Sequence, residues 1–494
     1  MYLQLAQLGC HYHSLELAAQ SWPRPVSHSE MPLHNHRATR HFSSKDAPRS
    51  STTTWARPLV TMTMNASNPV VSGPAVSSTQ ETVGDMIPTS HISMSWPSVP
   101  LLLAIVLGYL LLCQSLRFYH INALRKRLGY TDRASLAGMS NDDAQIILKH
   151  IMERNFPMFY ELALQFAIFK TYAFETMSKL INSTKELADP KNSFKRYEDT
   201  VVIFGEFSIN PPTSARALKA IARMNYLHAP YKAASKISNE DFLYTLSTCV
   251  TEPIRFMRLY EWRALTDAEV CAIGTFWKAI GDAMDIRYDG YLDRAGAWRD
   301  GIDFAEDITA WAKTYELQAM KPSRSNIKPS RELARLMIWH VPGFMKPFAV
   351  HVLTVLMGDR VRDAFMYPEP PISAALFAYL ALAVRRLAVR HLCLPRLFPK
   401  RYFSKEDPAT GRVNHYTYLV HPYYIPATLW ARFGPMSWLT RAVGGFPPGD
   451  VDMLPQGYLF EEVGPAREVG QGVEEMADAV EALRARKRGR CPFS

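Results

Sequence analysis

The feature that most constrains this chain is an uncharged run of 18 residues from Val99 to Leu116, which reads VPLLLAIVLGYLLLCQSL. Arg117 follows at once, and three more basic residues stand at positions 125–127. A helix needs about 20 mostly apolar residues to cross a bilayer, so this run is just long enough. Because basic residues beside a span usually stay in the cytosol, the sequence predicts one transmembrane helix over 99–116, a short non-cytosolic N-terminus and a large cytosolic body.

Composition agrees with a folded body at a membrane. The chain has 494 residues, a hydrophobic fraction of 48% and a net charge of +10. Because the chain has a predicted membrane span, we interpret its excess of basic residues as a means of binding anionic lipid on the cytosolic side, and we predict no nucleic-acid partner. The six cysteines are scattered without a CxxC pair, which is typical of a reducing compartment.

The segments on either side of the body are predicted to differ from it. Residues 1–93 are rich in Ser, Thr, Pro and His and lack periodic apolar residues, so we predict a disordered extension. Its cluster of His34, His36 and His41 is read as a solvated tract, with loose metal binding as the alternative. Residues 461–494 are predicted to be an amphipathic, basic tail, either solvated or facing lipid, with a nuclear localisation signal as the alternative for its basic run.

The pattern between 141 and 460 predicts a helical catalytic domain. Phe156–Phe174 is apolar on nearly all sides and is expected to form a central buried helix. Capping patterns at Ser214, Ser238 and Thr266 mark the starts of further helices. The uncharged segment Ile372–Val384 is short for a span, so a buried core helix is expected, with an interfacial helix as the alternative.

One histidine stands out among the eight that lie outside the N-terminal extension. Ala217, Ile221, Met224 and His228 are spaced i, i+4, i+7 and i+11, which places them on one apolar helix face. An imidazole on such a face can ligate a metal through one nitrogen. A core histidine with a backbone hydrogen bond explains the same pattern, and the local sequence alone favours that alternative.

The preceding predicted helix carries a cation and a hydroxyl one turn apart. Arg196 and Thr200 stand at i and i+4, where both can reach an anionic group or an oxygen species. An ordinary exposed ion pair of Arg196 with Glu198 or Asp199 is the alternative, and the local sequence favours it. The familiar signatures of nucleotide-binding, hydrolase, zinc and haem-thiolate enzymes are missing.

A long stretch of the chain resembles a known catalytic domain. It begins RYEDTVVIFGEF at Arg196 and continues through ARALKAIARMNYLHAPYKAASK to GDAMDI. This stretch is similar to the domain shared by fungal ER-bound oxygenases of the MpaB type and bacterial latex-clearing proteins, or rubber oxygenases. The similarity to the fungal group extends from the Val99 run through AFMYPEPP and HPYY to the region of Gly457.

The resemblance implies an all-α, globin-like fold with haem b held by an axial histidine, and His228 is the position that matches this histidine. It also implies a nearby Arg-x-x-Lys-Thr motif. Arg196 and Thr200 match its ends, but Asp199 stands in place of the Lys. A catalytic glutamate of the rubber oxygenases has no clear match, and three residues are candidates by proximity in sequence: Glu161, Glu175 and Glu206.

The resemblance also implies a function in secondary metabolism. We expect a single-pass oxygenase of the endoplasmic reticulum membrane that uses O₂ to cleave or oxidise a lipophilic, isoprenoid-bearing substrate such as a farnesylated phenol. His228 is expected to ligate the haem iron, and Arg196 and Thr200 to act on oxygen. A non-catalytic haem- or lipid-binding module and a helical scaffold without a cofactor are the alternatives.

Overall fold

Helices form all the regular secondary structure in the part of the chain that the computed structural model describes, which is residues 98–442, 444–449, 453–486 and 488–493. The extension 1–93 and its histidines lie outside the described residues. Within them, the only β-type pairs are isolated bridges of Phe403 with His415 and of Val413 with Tyr458. The predicted all-α class is confirmed, whereas the globin-like type stays a prediction.

The helices of ten or more residues, together with three short ones, are numbered in chain order. They are α1 (Ser98–Arg117), α2 (Tyr119–Leu128), α3 (Asn141–His150), α4 (Pro157–Thr171), α5 (Glu175–Thr184), α6 (Ser193–Ile209), α7 (Ala215–Ala233), α8 (Asn239–Tyr260), α9 (Asp267–Ala283), α10 (Gly301–Ala319), α11 (Arg324–Met337), α12 (Lys346–Met357), α13 (Asp359–Ala364), α14 (Ile372–His391), α15 (Leu429–Phe433), α16 (Pro435–Ala442) and α17 (Val473–Ala485). A π-helical turn, Ile151–Asn155, joins α3 to α4.

Side-chain caps start the helices where the sequence predicted them. The Ser214 hydroxyl accepts a hydrogen bond from the Ala217 N–H at the start of α7. Ser238 forms a capping box with Asp241 at the start of α8, and Thr266 forms one with Glu269 at the start of α9. Each cap satisfies backbone N–H groups that have no partner inside the helix, so these boundaries follow from local sequence.

The core forms around α4, which packs along α8. The Phe166 ring lies 5.1 Å from Phe256 of α8, and the Phe169 ring stacks at 4.9 Å on Phe365. The prediction of a central buried helix from the apolar run is confirmed. Helix α9 packs on α3 and α10, and α6 packs on α7, so the α6–α7 pair forms one wall of the body.

The C-terminal helix α17 packs against α7 instead of pointing into solvent or lipid. Two of its apolar side chains, Met476 and Leu483, are buried. Arg223 of α7 is fully buried and donates hydrogen bonds to the carbonyl oxygens of Val463, Glu468 and Gln471. Since a buried guanidinium needs several acceptors, this residue fastens the C-terminal segment to the body.

Helix α14 contradicts the expectation of a buried core helix over Ile372–Val384. Of its residues only Ala374 and Ala378 are buried, whereas the larger apolar side chains are exposed. Among the described residues, two helical stretches have the length and mean hydropathy of a membrane span: Val99–Leu128, which includes α1, and Ile372–His391, which is α14. A short uncharged run has the same sequence pattern in a buried core helix and in a helix at a membrane surface, so its periodicity could not distinguish the two.

Candidate functional site

A cavity of about 670 Å³ lies between the α6–α7 wall and helices α4, α5, α8 and α9. Part of the segment 402–419 closes it on one side. Most of its lining is apolar, with a few polar side chains grouped on the wall. This size and lining are typical of sites that hold a cofactor or a lipophilic ligand.

His228 lies on the cavity wall with one ring nitrogen engaged and the other open. Its Nδ1 is 2.8 Å from the carbonyl oxygen of Met224, so Nδ1 carries the proton and donates it. The ring meets Phe242 edge to face at 5.7 Å. Burial, and to a smaller extent the nearby charge of Arg196, lower the pKa of His228 to about 4. The imidazole is therefore neutral at physiological pH, and Nε2 can act as a ligand.

Arg196 and Thr200 both line the cavity, as the spacing predicted. The Arg196 Nη1 donates a hydrogen bond of 2.7 Å to the Thr200 hydroxyl, which itself donates to the Arg196 carbonyl oxygen at 2.9 Å. The alternative ion pair with Glu198 or Asp199 does not form, because those carboxylates bind other partners. Among the described residues Arg196 has no carboxylate partner, so its charge is available to the cavity.

A second polar group at the cavity joins α6 to the segment 402–419. The Nδ1 of His415 lies 2.6 Å from the Glu198 carboxylate on α6. The Nε2 of the same ring lies 2.8 Å from the Thr417 hydroxyl. All three residues line the cavity. Since both ring nitrogens of His415 are engaged, His228 is the cavity histidine with an open nitrogen.

Comparison with known proteins identifies a catalytic domain in the part of the chain that carries Arg196, Thr200 and His228. A family model described as "ER-bound oxygenase mpaB/B'/Rubber oxygenase, catalytic domain" matches residues 186–386. The chain is 35% identical to an "ER-bound oxygenase mpaB'" of Penicillium brevicompactum over 401 residues, which cover 80% of this chain and 94% of the relative.

The chain belongs to this family. An "ER-bound oxygenase mpaB" of the same fungus is 33% identical over 78% of this chain and 91% of the relative. The mpaB of Penicillium roqueforti is 37% identical over 54% of this chain and 89% of the relative. The protein is thus an enzyme of the oxygenase class, and the resemblance found in the sequence is confirmed. The MpaB-type relatives are named ER-bound, in agreement with a site of action at a membrane.

Asp199, which departs from the rubber-oxygenase pattern, does not line the cavity. It is fully buried, and its carboxylate accepts hydrogen bonds from Lys195 at 2.8 Å, the Tyr424 hydroxyl at 2.5 Å and the Gly464 N–H at 3.1 Å. It therefore joins α6 to two parts of the C-terminal segment. The departure therefore lies in packing beside the cavity, whereas Arg196 and Thr200 line the cavity itself.

The three glutamates that were candidates for a catalytic glutamate lie in different surroundings in the structure. Glu161 lines the cavity and pairs with Lys400. Glu175 pairs with Lys179 on the exposed start of α5. Glu206 is buried away from the cavity, where it binds Arg216. Only Glu161 is brought to the cavity wall, although Glu198, which the sequence analysis considered only as an ion-pair partner, lies there too.

The residues on the wall fit a haem better than a bare metal ion. In the ranges that the structure describes, no group of three His, Cys, Asp or Glu side chains could hold an ion. A haem brings its own four nitrogen ligands and needs one histidine from the protein, which His228 offers. The carbonyl-bound Nδ1 of His228 is the arrangement that orients such a ligand.

Helix spacing predicted that His228, Arg196 and Thr200 lie on particular helix faces, and the family resemblance made them site candidates; the structure shows that all three line the cavity. The sequence did not reveal His415 and Thr417, which lie in an irregular segment. His415 is 217 residues away from Glu198 in the sequence. The sequence NHYT carries no pattern that marks it as part of a site. A contact of this separation is decided by tertiary packing alone.

Proposed function

We propose that this protein is a haem-dependent oxygenase that oxidises or cleaves a carbon–carbon double bond of an isoprenoid-bearing substrate, such as a farnesylated phenol. The observation that carries the proposal is the neutral imidazole of His228, whose Nε2 is open inside a largely apolar cavity. Bound there, haem b supplies an iron centre that reacts with O₂. The apolar lining would exclude water and hold the isoprenoid chain.

Arg196 and Thr200, the polar pair on α6, have different proposed roles. The guanidinium of Arg196 would stabilise negative charge that develops on oxygen during the reaction. The Thr200 hydroxyl donates a hydrogen bond to the Arg196 carbonyl oxygen and accepts one from the Arg196 guanidinium. It therefore orients Arg196 and has no O–H left to donate into the cavity. We therefore propose Arg196 as the catalytic residue of the pair and Thr200 as its positioning residue.

We further propose that α1 anchors the enzyme in the endoplasmic reticulum membrane, with the body in the cytosol. Basic residues follow the span, and the relatives are named ER-bound. An isoprenoid chain partitions into lipid, because each buried CH₂ contributes about 0.8 kcal/mol. Membrane lipid and O₂ are then the partners that the reaction requires, and an anchored enzyme meets its substrate at high local concentration.

The proposal is tested with full-length protein in nanodiscs. We expect a Soret band, and O₂ consumption with a farnesylated phenol but not with the same phenol carrying the fully saturated chain. Carbonyl-bearing fragments should appear only with the unsaturated chain. A Soret band without turnover would favour the binding module, and a colourless, iron-free protein would favour the scaffold.

A further inference from the structure

The contact of Glu198, His415 and Thr417 forms a hydrogen-bonded chain that ends at the cavity. Glu198 and His415 are almost completely buried, with 3% and 1% of their surface exposed, whereas Thr417 at the end of the chain is half-buried. The Phe403 ring stacks on His415 at 4.8 Å and 28°. Because the imidazole is fixed by the stacking ring and by two hydrogen bonds, the position of the Thr417 hydroxyl is fixed as well.

The direction of the hydrogen bonds follows from what each group can donate. Burial raises the pKa of the Glu198 carboxyl group, and the contact with His415 opposes that shift. In its ionised form the carboxylate can only accept, so Nδ1 of His415 carries the proton. Nε2 then has a lone pair and accepts the proton of the Thr417 hydroxyl. The Thr417 oxygen is left with lone pairs and no proton to give. It can therefore accept a hydrogen bond from the cavity but cannot donate one.

We propose that Thr417 recognises a hydroxyl head group, phenolic or alcoholic, on an amphiphilic substrate whose apolar chain fills the cavity. The inference rests on the proposed function and names the chemistry of its substrate. A buried polar chain beside an apolar cavity is costly when its last acceptor has no partner. A substrate O–H supplies that partner, whereas a methyl ether does not. Sites that bind a substrate O–H discriminate against analogues that lack it.

The test compares the binding of 4-farnesylphenol and of its methyl ether to full-length protein in nanodiscs without O₂. The wild type should bind the phenol about tenfold more tightly, which corresponds to one hydrogen bond. Thr417→Val keeps the shape and removes the acceptor, so the preference should vanish. Thr309→Val is the control, since its hydroxyl binds a carbonyl of α10 away from the cavity and the preference should persist.

Equal binding of the two ligands by the wild type, or an unchanged preference in Thr417→Val, would overturn this recognition. O₂ consumption with both ligands, measured separately, reports on the oxygenase proposal. The two proposals can therefore fail independently: turnover without a preference removes the role of Thr417 only, and a preference without turnover removes the oxygenase chemistry only.

A second inference concerns the exposed face of α14. Ile372, Leu376 and Leu380 recur at intervals of four residues and are 76%, 65% and 60% exposed. Val384 continues the same stripe, and two arginines follow at 385 and 386. Soluble proteins rarely expose a contiguous apolar stripe of this kind, because it would remain hydrated.

The C-terminal end of α14 and the segment after it are fixed to α1. The Tyr109 hydroxyl donates to the Leu392 carbonyl oxygen at 2.7 Å, and Gln114 contacts the His391 ring at 2.8 Å. Arg117 donates to the Cys393 carbonyl. The basic end of α14 is thus held beside the basic end of the predicted span. Arg385 also pairs with Glu261 of the body at 2.8 Å.

We infer that α14 lies in the lipid bilayer as a second membrane element, with its stripe in the hydrocarbon and the exposed Arg386 and Arg390 at the head groups. Although the whole helix has 20 residues, only the first 13 form an uncharged run, and these rise about 20 Å, less than the roughly 30 Å of the hydrocarbon core. With the arginines kept out of the hydrocarbon, the helix enters one leaflet without crossing. Lipid is the occupant that fits, because the stripe adjoins the proposed transmembrane helix and ends in positive charge.

The test uses full-length protein in nanodiscs of phosphatidylcholine and phosphatidylserine, with Cys10, Cys393 and Cys491 replaced by Ser. A bimane label on Leu380→Cys should be quenched several-fold by spin-labelled lipid. A label on Leu103→Cys in α1 is the positive control, and one on Leu317→Cys, 67% exposed on α10, should stay unquenched. Quenching at position 103 alone would overturn the role of α14, and quenching at neither position 103 nor 380 would overturn both membrane elements.

Discussion

Replacement of His228 by Ala should abolish the haem content of the purified protein while its helical circular dichroism stays nearly unchanged. The bond from iron to Nε2 would be the main specific link between protein and cofactor. We expect the fold to survive, because the hydrogen bond of the His228 ring to the Met224 carbonyl stays within α7 and its ring contact is with Phe242. The Soret absorbance and the pyridine haemochrome assay, both normalised to protein, measure the loss.

The other histidines provide matched controls. His351 and His421 do not line the cavity, so His351→Ala and His421→Ala should keep the pigment. His415→Gln is the sharper control, because His415 lies on the cavity wall with both ring nitrogens already engaged. Wild-type haem content in His228→Ala would remove the central residue of the proposed mechanism.

Replacement of Arg196 by Ala should lower turnover of a farnesylated phenol by one to three decades while haem content stays near that of the wild type. A charge-assisted hydrogen bond to oxygen that becomes negative is worth about 2–4 kcal/mol in the transition state. Thr200→Val should also reduce turnover, but by less, because Thr200 orients Arg196. O₂ consumption per haem in each variant measures the effect.

Asp199→Lys tests whether the departure from the rubber-oxygenase motif affects chemistry. It should not raise activity, because Asp199 faces the C-terminal segment and not the cavity. An added amine beside Lys195 would bury unpaired charge, so a lower melting temperature is expected instead. Normal turnover per haem in both Arg196→Ala and Thr200→Val would show that the matched motif is only a structural remnant.

The position of Asp199 also changes how the family motif is interpreted. Arg196 and Thr200 are one turn apart and face the cavity together, whereas Asp199 lies on another side of α6 and is bound there by Lys195. A substitution on that side can be compensated by the residues that it contacts. The sequence shows the departure, but only the surroundings of the side chain show which of the two faces it affects.

The sequence by itself determined the parts of this protein that depend on local order. Caps at Ser214, Ser238 and Thr266, the apolar run of α4 and the i, i+4 spacing of Arg196 and Thr200 are all properties of one helix at a time. Family resemblance added the oxygenase class, because it extends over most of the chain.

Tertiary structure decided everything that joins distant segments. The Glu198–His415–Thr417 chain, the burial of Asp199 against Tyr424 and the exposure of α14 depend on which surfaces meet. An uncharged helix of 13 residues satisfies its backbone equally well in a core or in lipid, so its sequence does not choose between them. The choice follows from the neighbours it contacts: α1, α8 and α12 cover a narrow strip of α14, and the larger apolar side chains outside that strip face outward.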